Sequence, residues 1–294
     1  MRASTSQRIT LKDGRMLGYA EYGSGEGKPV FYFPGNPASR LDGWRLDEPA
    51  KRVKARIIAL DRPGIGLSDF KAGRRYLDWP DDVSELADNL GINRFAVLGL
   101  SAGGPYTMAC AYKIPQRITS AAIVSSPCPF NVPEATKDMS KFQHLAVFVV
   151  QRAPWLARLR IGILVRKVNR DPIGVILRVN GGMAEVDKAI IDEIISRNPE
   201  GLNRAVNNLR QAFHLGARGI VQEYSILMNP WGFRPNDISI QIKIWHGEAD
   251  ITIRPSMGRY LANSIPDCQA NFLPGEGHYL IFKHAEDILR DLVT

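Results

Sequence analysis

The 294 residues are 45% hydrophobic and 23% charged, the mix of a soluble globular protein, which excludes a disordered or fibrous chain. A folded chain of this length hides about three quarters of its unfolded surface, enough for one large core with a smaller packed domain. Lys and Arg outnumber Asp and Glu by 38 to 30, a net +8, but the basic residues read as spread along the chain with no aromatic-interleaved basic motif, so a solvated basic surface is expected and no nucleic-acid partner.

In chain order, the terminus MRASTSQRITLKDGR lacks the apolar core of an export signal, so a cytoplasmic setting is the expectation. Short apolar runs follow at 30–33, 55–60, 95–100 and 121–124, each ending in turn-forming residues. Continuous rather than alternating runs suit strands buried on both faces of a parallel sheet. Helical patterns lie between them near 41–54, 80–90 and 104–113, and this βαβ rhythm implies an α/β domain. After Pro127 the pattern turns helical, with stretches at 135–151, 155–168, 183–197, 199–215 and 217–228. Met183, Val186, Ile190, Ile191, Ile194 and Ile195 recur at the spacing of one helix face. The apolar stretch 145–165 is broken by Arg152, Pro154, Arg158 and Arg160, so it is no transmembrane span and no stable membrane insertion is expected. Strand patterns resume at 240–245 and 269–273, and a helix closes the chain at 285–293. The expected organisation is therefore a core at 1–127 and 238–294, interrupted by a helical cap at 128–237. Three cysteines, Cys110, Cys128 and Cys268, at long spacings form neither a disulfide framework nor a zinc motif.

The sharpest chemical signal is Gly99-Leu100-Ser101-Ala102-Gly103, which follows a strand pattern directly and precedes a helix. It fits the G-x-S-x-G nucleophile elbow, where small neighbours let a serine occupy a strained strand-to-helix turn. The lysine of a phosphate-binding loop is missing, and Ser101 stands where a dinucleotide fingerprint needs glycine. A serine hydroxyl is a weak nucleophile alone, so a histidine base and a carboxylate to orient it should follow downstream. Asp250, in WHGEAD, and His278, in GEGH, each come just past a strand and in the order Ser101, Asp250, His278 that the elbow fold uses. Glu248 is the nearest rival acid. His144 and His214 fall in helical stretches, His246 at a strand end and His284 at the start of the last helix. For the oxyanion, one donor is the backbone N–H of Ala102. The second comes from Phe33-Pro34-Gly35-Asn36-Pro37, where the prolines leave only Gly35 and Asn36 able to donate, and Asn36 is favoured. Asp61-Arg62-Pro63-Gly64 reads as a structural turn in which Asp61 caps backbone amides.

Taken in order, FPGNPAS, DRPGIGLSD, GLSAGGPYTMACA, PWGF, WHGEAD and GEGH resemble the α/β-hydrolase superfamily, in its capped serine-hydrolase branch, over nearly the whole chain. The resemblance implies a mostly parallel sheet flanked by helices, with nucleophile Ser101, acid Asp250, base His278 and oxyanion donors Asn36 and Ala102, and with neither cofactor nor metal. The family commonly has histidine before the oxyanion-loop glycine, where this chain has Pro34. The loop GNPAS is similar to that of haloalkane dehalogenases, but those enzymes and epoxide hydrolases use an aspartate nucleophile, so Ser101 argues against both. A small to medium hydrophobic ester is the expected substrate of a monomer or homodimer, under a roof drawn from Phe142, Phe148, Trp155, Phe213, Tyr224, Trp231 and Phe233. The same triad serves C–C bond hydrolases and iminopeptidases. The latter need acidic cap residues, and Glu185, Asp187, Asp192, Glu193 and Glu200 read as a solvated helix face. A non-catalytic ligand receptor is the alternative from another class.

Overall fold

The computed structural model describes residues 4–294 apart from 198, so the first three residues of the terminus lie outside the described residues. Its elements run β1 (Ser4–Thr10), β2 (Met16–Gly23), β3 (Lys28–Phe33), α1 (Asp47–Arg52), β4 (Ala55–Leu60), α2 (Trp79–Asn89), β5 (Phe95–Leu100), α3 (Gly104–Lys113) and β6 (Ile118–Val124). Between β6 and β7 come α4 (Pro133–Thr136), α5 (Lys141–Arg152), α6 (Pro154–Arg170), α7 (Pro172–Gly181), α8 (Glu185–Arg197), α9 (Pro199–Ala212) and α10 (Ala217–Met228). The chain ends with β7 (Ile242–Gly247), α11 (Pro255–Ser264), β8 (Cys268–Leu273) and α12 (Ile281–Val293).

All eight strands join one sheet in the order β1-β2-β4-β3-β5-β6-β7-β8. β1–β2 and β2–β4 pair antiparallel, and every other pair is parallel. Alternate residues of the central strands feed two cores, because successive side chains of a strand point to opposite faces. Phe31, Phe33, Ile58 and Val97 pack with α2, α3 and α11 on one face. Val30, Tyr32, Ile57 and Leu98 pack with α1 and α12 on the other. In α12 the buried Ile281, Ala285, Ile288, Leu289 and Leu292 recur at three- and four-residue spacing, which makes the apolar stripe that docks on the sheet.

Several expectations shift. The segment expected as one helix over 41–54 is a 3-10 turn, Arg40–Leu46, followed by the short α1. The stretch 135–151 is split between α4 and α5, because Ser140 caps a fresh start: its side chain accepts from the Gln143 N–H while Gln143 reaches back to the Ser140 N–H. β1, β2, α7 and α11 are additional elements.

Three buried polar side chains of the helical segment between β6 and β7 reach down to loops at the sheet edge. Glu223 of α10 pairs with two buried arginines, lying 2.6 Å from Arg62 and against Arg74, and accepts a hydrogen bond from the Tyr106 hydroxyl at 2.9 Å. Asn208 of α9 accepts from the Ser39 N–H and hydroxyl, both at 2.9 Å, and donates to Asp42 at 3.0 Å. Asp187 of α8, fully buried, accepts from the backbone N–H groups of His278 at 3.0 Å and Tyr279 at 2.8 Å. Removing one partner from a buried ion cluster leaves the others uncompensated. Glu223→Ala should therefore lower the unfolding free energy by about 3–5 kcal/mol in a urea titration. A loss under about 1 kcal/mol, the worth of an exposed pair, would show that Glu223 does not bind the two parts together.

Candidate active site

The parallel strands all finish at one edge, and the chemistry-bearing residues sit just beyond them. Ser101 follows β5 and has φ +52°, a left-handed backbone that a residue with a side chain adopts at a cost of about 1–3 kcal/mol. The elbow closes only because its neighbours lack side chains. A Cβ on Gly103 would fall 1.9 Å from the carbonyl oxygen of Phe33, and one on Gly99 2.5 Å from that of Gly103. The same tight contact sets the loop after β3 against the elbow, so that a Cβ on Gly35 would lie 3.8 Å from Ser101 Oγ. Ala102 lies buried at the start of the helical run that continues into α3, where backbone N–H groups have no partner within the helix.

The Asn36 amide is buried, and neither its nitrogen nor its oxygen has a hydrogen-bond partner among the described residues. Such a group costs free energy until a partner meets it. The loop that carries it is held from behind by Arg62, whose guanidinium donates to the carbonyls of Pro34 and, at 2.8 Å, of Gly35. Arg62 therefore braces the loop that Pro34 opens. Beside it, buried Asp61 accepts from the backbone N–H groups of Arg40 at 2.6 Å and Leu67 at 2.8 Å, the capping role expected of it.

Asp250, after β7, and His278, after β8, meet with His278 Nδ1 2.8 Å from Asp250 Oδ2. The other oxygen, Oδ1, accepts from the N–H groups of Thr252 at 2.8 Å and Ile253 at 2.9 Å, which fixes the carboxylate. Burial alone would raise Asp250, but the charge and hydrogen bond of His278 outweigh it and hold the carboxyl below its usual range. Burial alone would lower His278, but the charge and hydrogen bond of Asp250, reinforced by the charge of Asp187, hold the imidazole above its usual range. The Ser125 hydroxyl after β6 donates to the His278 carbonyl at 3.1 Å, and Leu100 pairs in register with Val124, so the histidine loop arches over the strand next to Ser101. Among the described residues the Ser101 hydroxyl has no hydrogen-bond partner; serine–base contacts often tighten only on substrate binding. Glu248, the rival acid, is exposed and 2.6 Å from Arg259. Buried His246 is held at Nε2 by the carbonyl of Ile253 at 2.9 Å, and burial pushes its imidazole down despite the charge of Asp250.

Two expectations are corrected. Glu185, Asp192, Glu193 and Glu200 are exposed, but Asp187 is not part of a solvated face. It presses on Gly277, where a Cβ would come 2.4 Å from both its carboxylate oxygens. Of the expected aromatic roof, Phe142, Phe148 and Trp155 are exposed and Trp231 and Phe233 are buried in one of the two sheet-face cores, while Phe213 and Tyr224 pack with Val168, Val175 and Ile220 inside the helical segment and against Ile65. A cavity of about 150 Å³ is lined by the aliphatic Val175, Ile176, Met183 and Leu209, by the polar Arg45, Asn180 and Asn208, and by Pro37 and Tyr279, the chain neighbours of Asn36 and His278. Asp187 and Glu223 had a signal in the sequence: each is an acid on its helix's apolar stripe, Asp187 between Met183 and Ile190, Glu223 between Ile220 and Leu227. No group of three potential metal ligands occurs among the described residues.

The family model for the α/β hydrolase fold matches residues 28–285. The chain is 26% identical over 284 residues to the dihydrolipoyllysine-residue acetyltransferase component of the acetoin cleaving system of Pseudomonas putida, covering 96% of this chain and 66% of that one. It thus spans just under two thirds of that relative's length. Identity to the 2-hydroxymuconate semialdehyde hydrolase of Pseudomonas sp. strain CF600 is 30% over 107 residues, 35% of this chain and 38% of that one. Among solved structures, the esterase EaEST from Exiguobacterium antarcticum superposes with a TM-score of 0.68 at 17% identity over 98% of both chains, a likeness of fold. With a mostly parallel eight-stranded sheet and a family match running from β3 into α12, the chain belongs to the α/β-hydrolase fold family.

Proposed function

We propose that the chain is a serine hydrolase that cleaves small hydrophobic carboxylic esters, with Ser101 as nucleophile, His278 as general base and acid, Asp250 as its orienting carboxylate, and Asn36 and Ala102 as oxyanion donors. The observation that carries the reading is the buried Asp250–His278 pair at the sheet edge that also presents Ser101 on a left-handed elbow. In this mechanism Ser101 Oγ attacks the ester carbonyl as its proton passes to His278 Nε2. The tetrahedral oxyanion is met by the backbone N–H of Ala102 and the side-chain amide N–H of Asn36, and the helical run starting at Ser101 turns its positive end toward the charge. The C–O bond of the leaving alcohol then breaks, and the alcohol takes the proton from His278. Water, deprotonated by His278, attacks the acyl-serine, and the proton returns to Ser101 as the carboxylic acid departs.

The helices between β6 and β7 act as the cap. The cavity of about 150 Å³ that they share with Pro37 and Tyr279, mixed aliphatic and polar in lining, is smaller than typical ligand sites; taken as the acyl pocket, it favours short acyl groups. An iminopeptidase would need a cap carboxylate free to take an ammonium, whereas the two buried ones, Asp187 and Glu223, are spent on backbone amides and on arginines. The esterase reading accordingly carries more weight.

On p-nitrophenyl esters the wild type should prefer acetate and butyrate to longer chains, and Ser101→Ala should lose at least about a thousandfold in kcat/KM. A folded wild type that turns over none of these esters would refute the reading. Asn36→Ala should reduce kcat by about ten- to a thousandfold with KM little changed, since its contribution is to the transition state; an equal loss in binding alone would move Asn36 out of the oxyanion site. Because His278 must be neutral to accept the serine proton and its pKa is raised, kcat/KM should climb with pH through a midpoint above about 6.5. Asp187→Asn removes one raising charge, so that midpoint should move to lower pH; an unmoved midpoint would show that Asp187 has no hold on the imidazole.

A further inference from the structure

The positive charge is not spread along the chain as its sequence first suggests. Residues 137–178 carry nine Lys and Arg against two Asp, +7 of the chain's +8, and neither α5 nor α6 contains an Asp or Glu. The same two helices, joined by Ala153 alone, expose Phe142 at 84%, Trp155 at 69% and Phe148 at 60%, together with Leu145, Leu159 and Ile163. Single exposed apolar side chains are ordinary, but large ones gathered on adjoining elements mark a contact surface. On α6, Trp155, Leu159 and Ile163 stand four residues apart and form one stripe, which Arg166 and Arg170 continue and Arg158 borders. These three arginines are exposed and take part in no ion pair among the described residues.

We infer that α5 and α6 form a docking surface for a phospholipid membrane with anionic headgroups, lying in the plane of the interface. Aromatic and aliphatic side chains would enter the headgroup–acyl boundary, and the unpaired guanidiniums would reach lipid phosphates, for which their forked donors are shaped. Other occupants satisfy only half of the surface. A nucleic acid would take the arginines and leave Phe142 and Trp155 in water, and a second copy would set one cluster of positive charge against another. The helices lie on the bilayer rather than cross it, because no helix among the described residues is long and apolar enough to span.

The test is flotation of the full chain with vesicles of phosphatidylcholine alone and of phosphatidylcholine mixed with phosphatidylglycerol, at low and high salt. Binding to the mixed vesicles, with release by salt, is the expected result. The triple variants R158E/R166E/R170E and F142S/F148S/W155S should each lower the bound fraction at least about tenfold while keeping the wild-type urea midpoint. Should a variant fail to fold, the dependence of wild-type binding on lipid charge and salt still decides the matter. The inference is overturned if the wild type stays unbound or binds neutral and anionic vesicles alike. It is equally overturned if sedimentation shows a dimer that the apolar variant dissolves in a protein that never floats.

Discussion

A single negative charge, that of Glu223, sits where the helical segment meets the loops at the sheet edge, and much of the architecture depends on it. Two guanidiniums are buried beneath the helical segment, and neither would stay out of water without a carboxylate to face. One of the two, Arg62, turns its other donors to the carbonyls of Pro34 and Gly35. A helix far along the chain thus fixes, through one arginine, the backbone that presents Asn36. The function proposed for the site requires donors that are already aimed when charge develops, and this chain of contacts supplies that aim without help from solvent.

The histidine side of the site follows the same logic. Asp250 grips His278 through the ring, and Asp187 grips the same residue through its backbone N–H. The two carboxylates arrive from different directions, one from a loop of the sheet and one from α8. Both favour a positive imidazole, so His278 binds its proton more firmly than an ordinary histidine. Gly277 belongs to this arrangement, since any side chain there would occupy the space of the Asp187 carboxylate.

How much of this could be read in the sequence depends on distance along the chain. The parallel strands were legible because burial on both faces demands unbroken apolar runs, as in Phe95–Leu100. β1 escaped because it is an edge strand with only Ile9 of its seven residues buried, and β2 because Gly18, Ala20 and Glu21 dilute its pattern. α11 carries Gly258 and only the apolar pair Met257 and Leu261 on its buried face, which masks its helical period. Ser101, Asp250 and His278 stood out because each belongs to a glycine-marked loop immediately after a strand. Asp187, Asn208, Glu223 and the bracing role of Arg62 did not, since each acts on a partner from a remote segment. An acid on an apolar helix stripe was the one local trace they left.

The three downward-reaching side chains of α8, α9 and α10 also define what can be exchanged among relatives. A helical segment grafted from another member of the fold would land on this sheet with two arginines, two backbone N–H groups and the Ser39–Asp42 turn all awaiting partners. It would have to bring an acid, an amide and a second acid at matching heights, whatever the remainder of its sequence. The helices can therefore drift freely only between these fixed posts, and the aliphatic side chains that α7 to α9 turn into their shared cavity are the part left open to repacking.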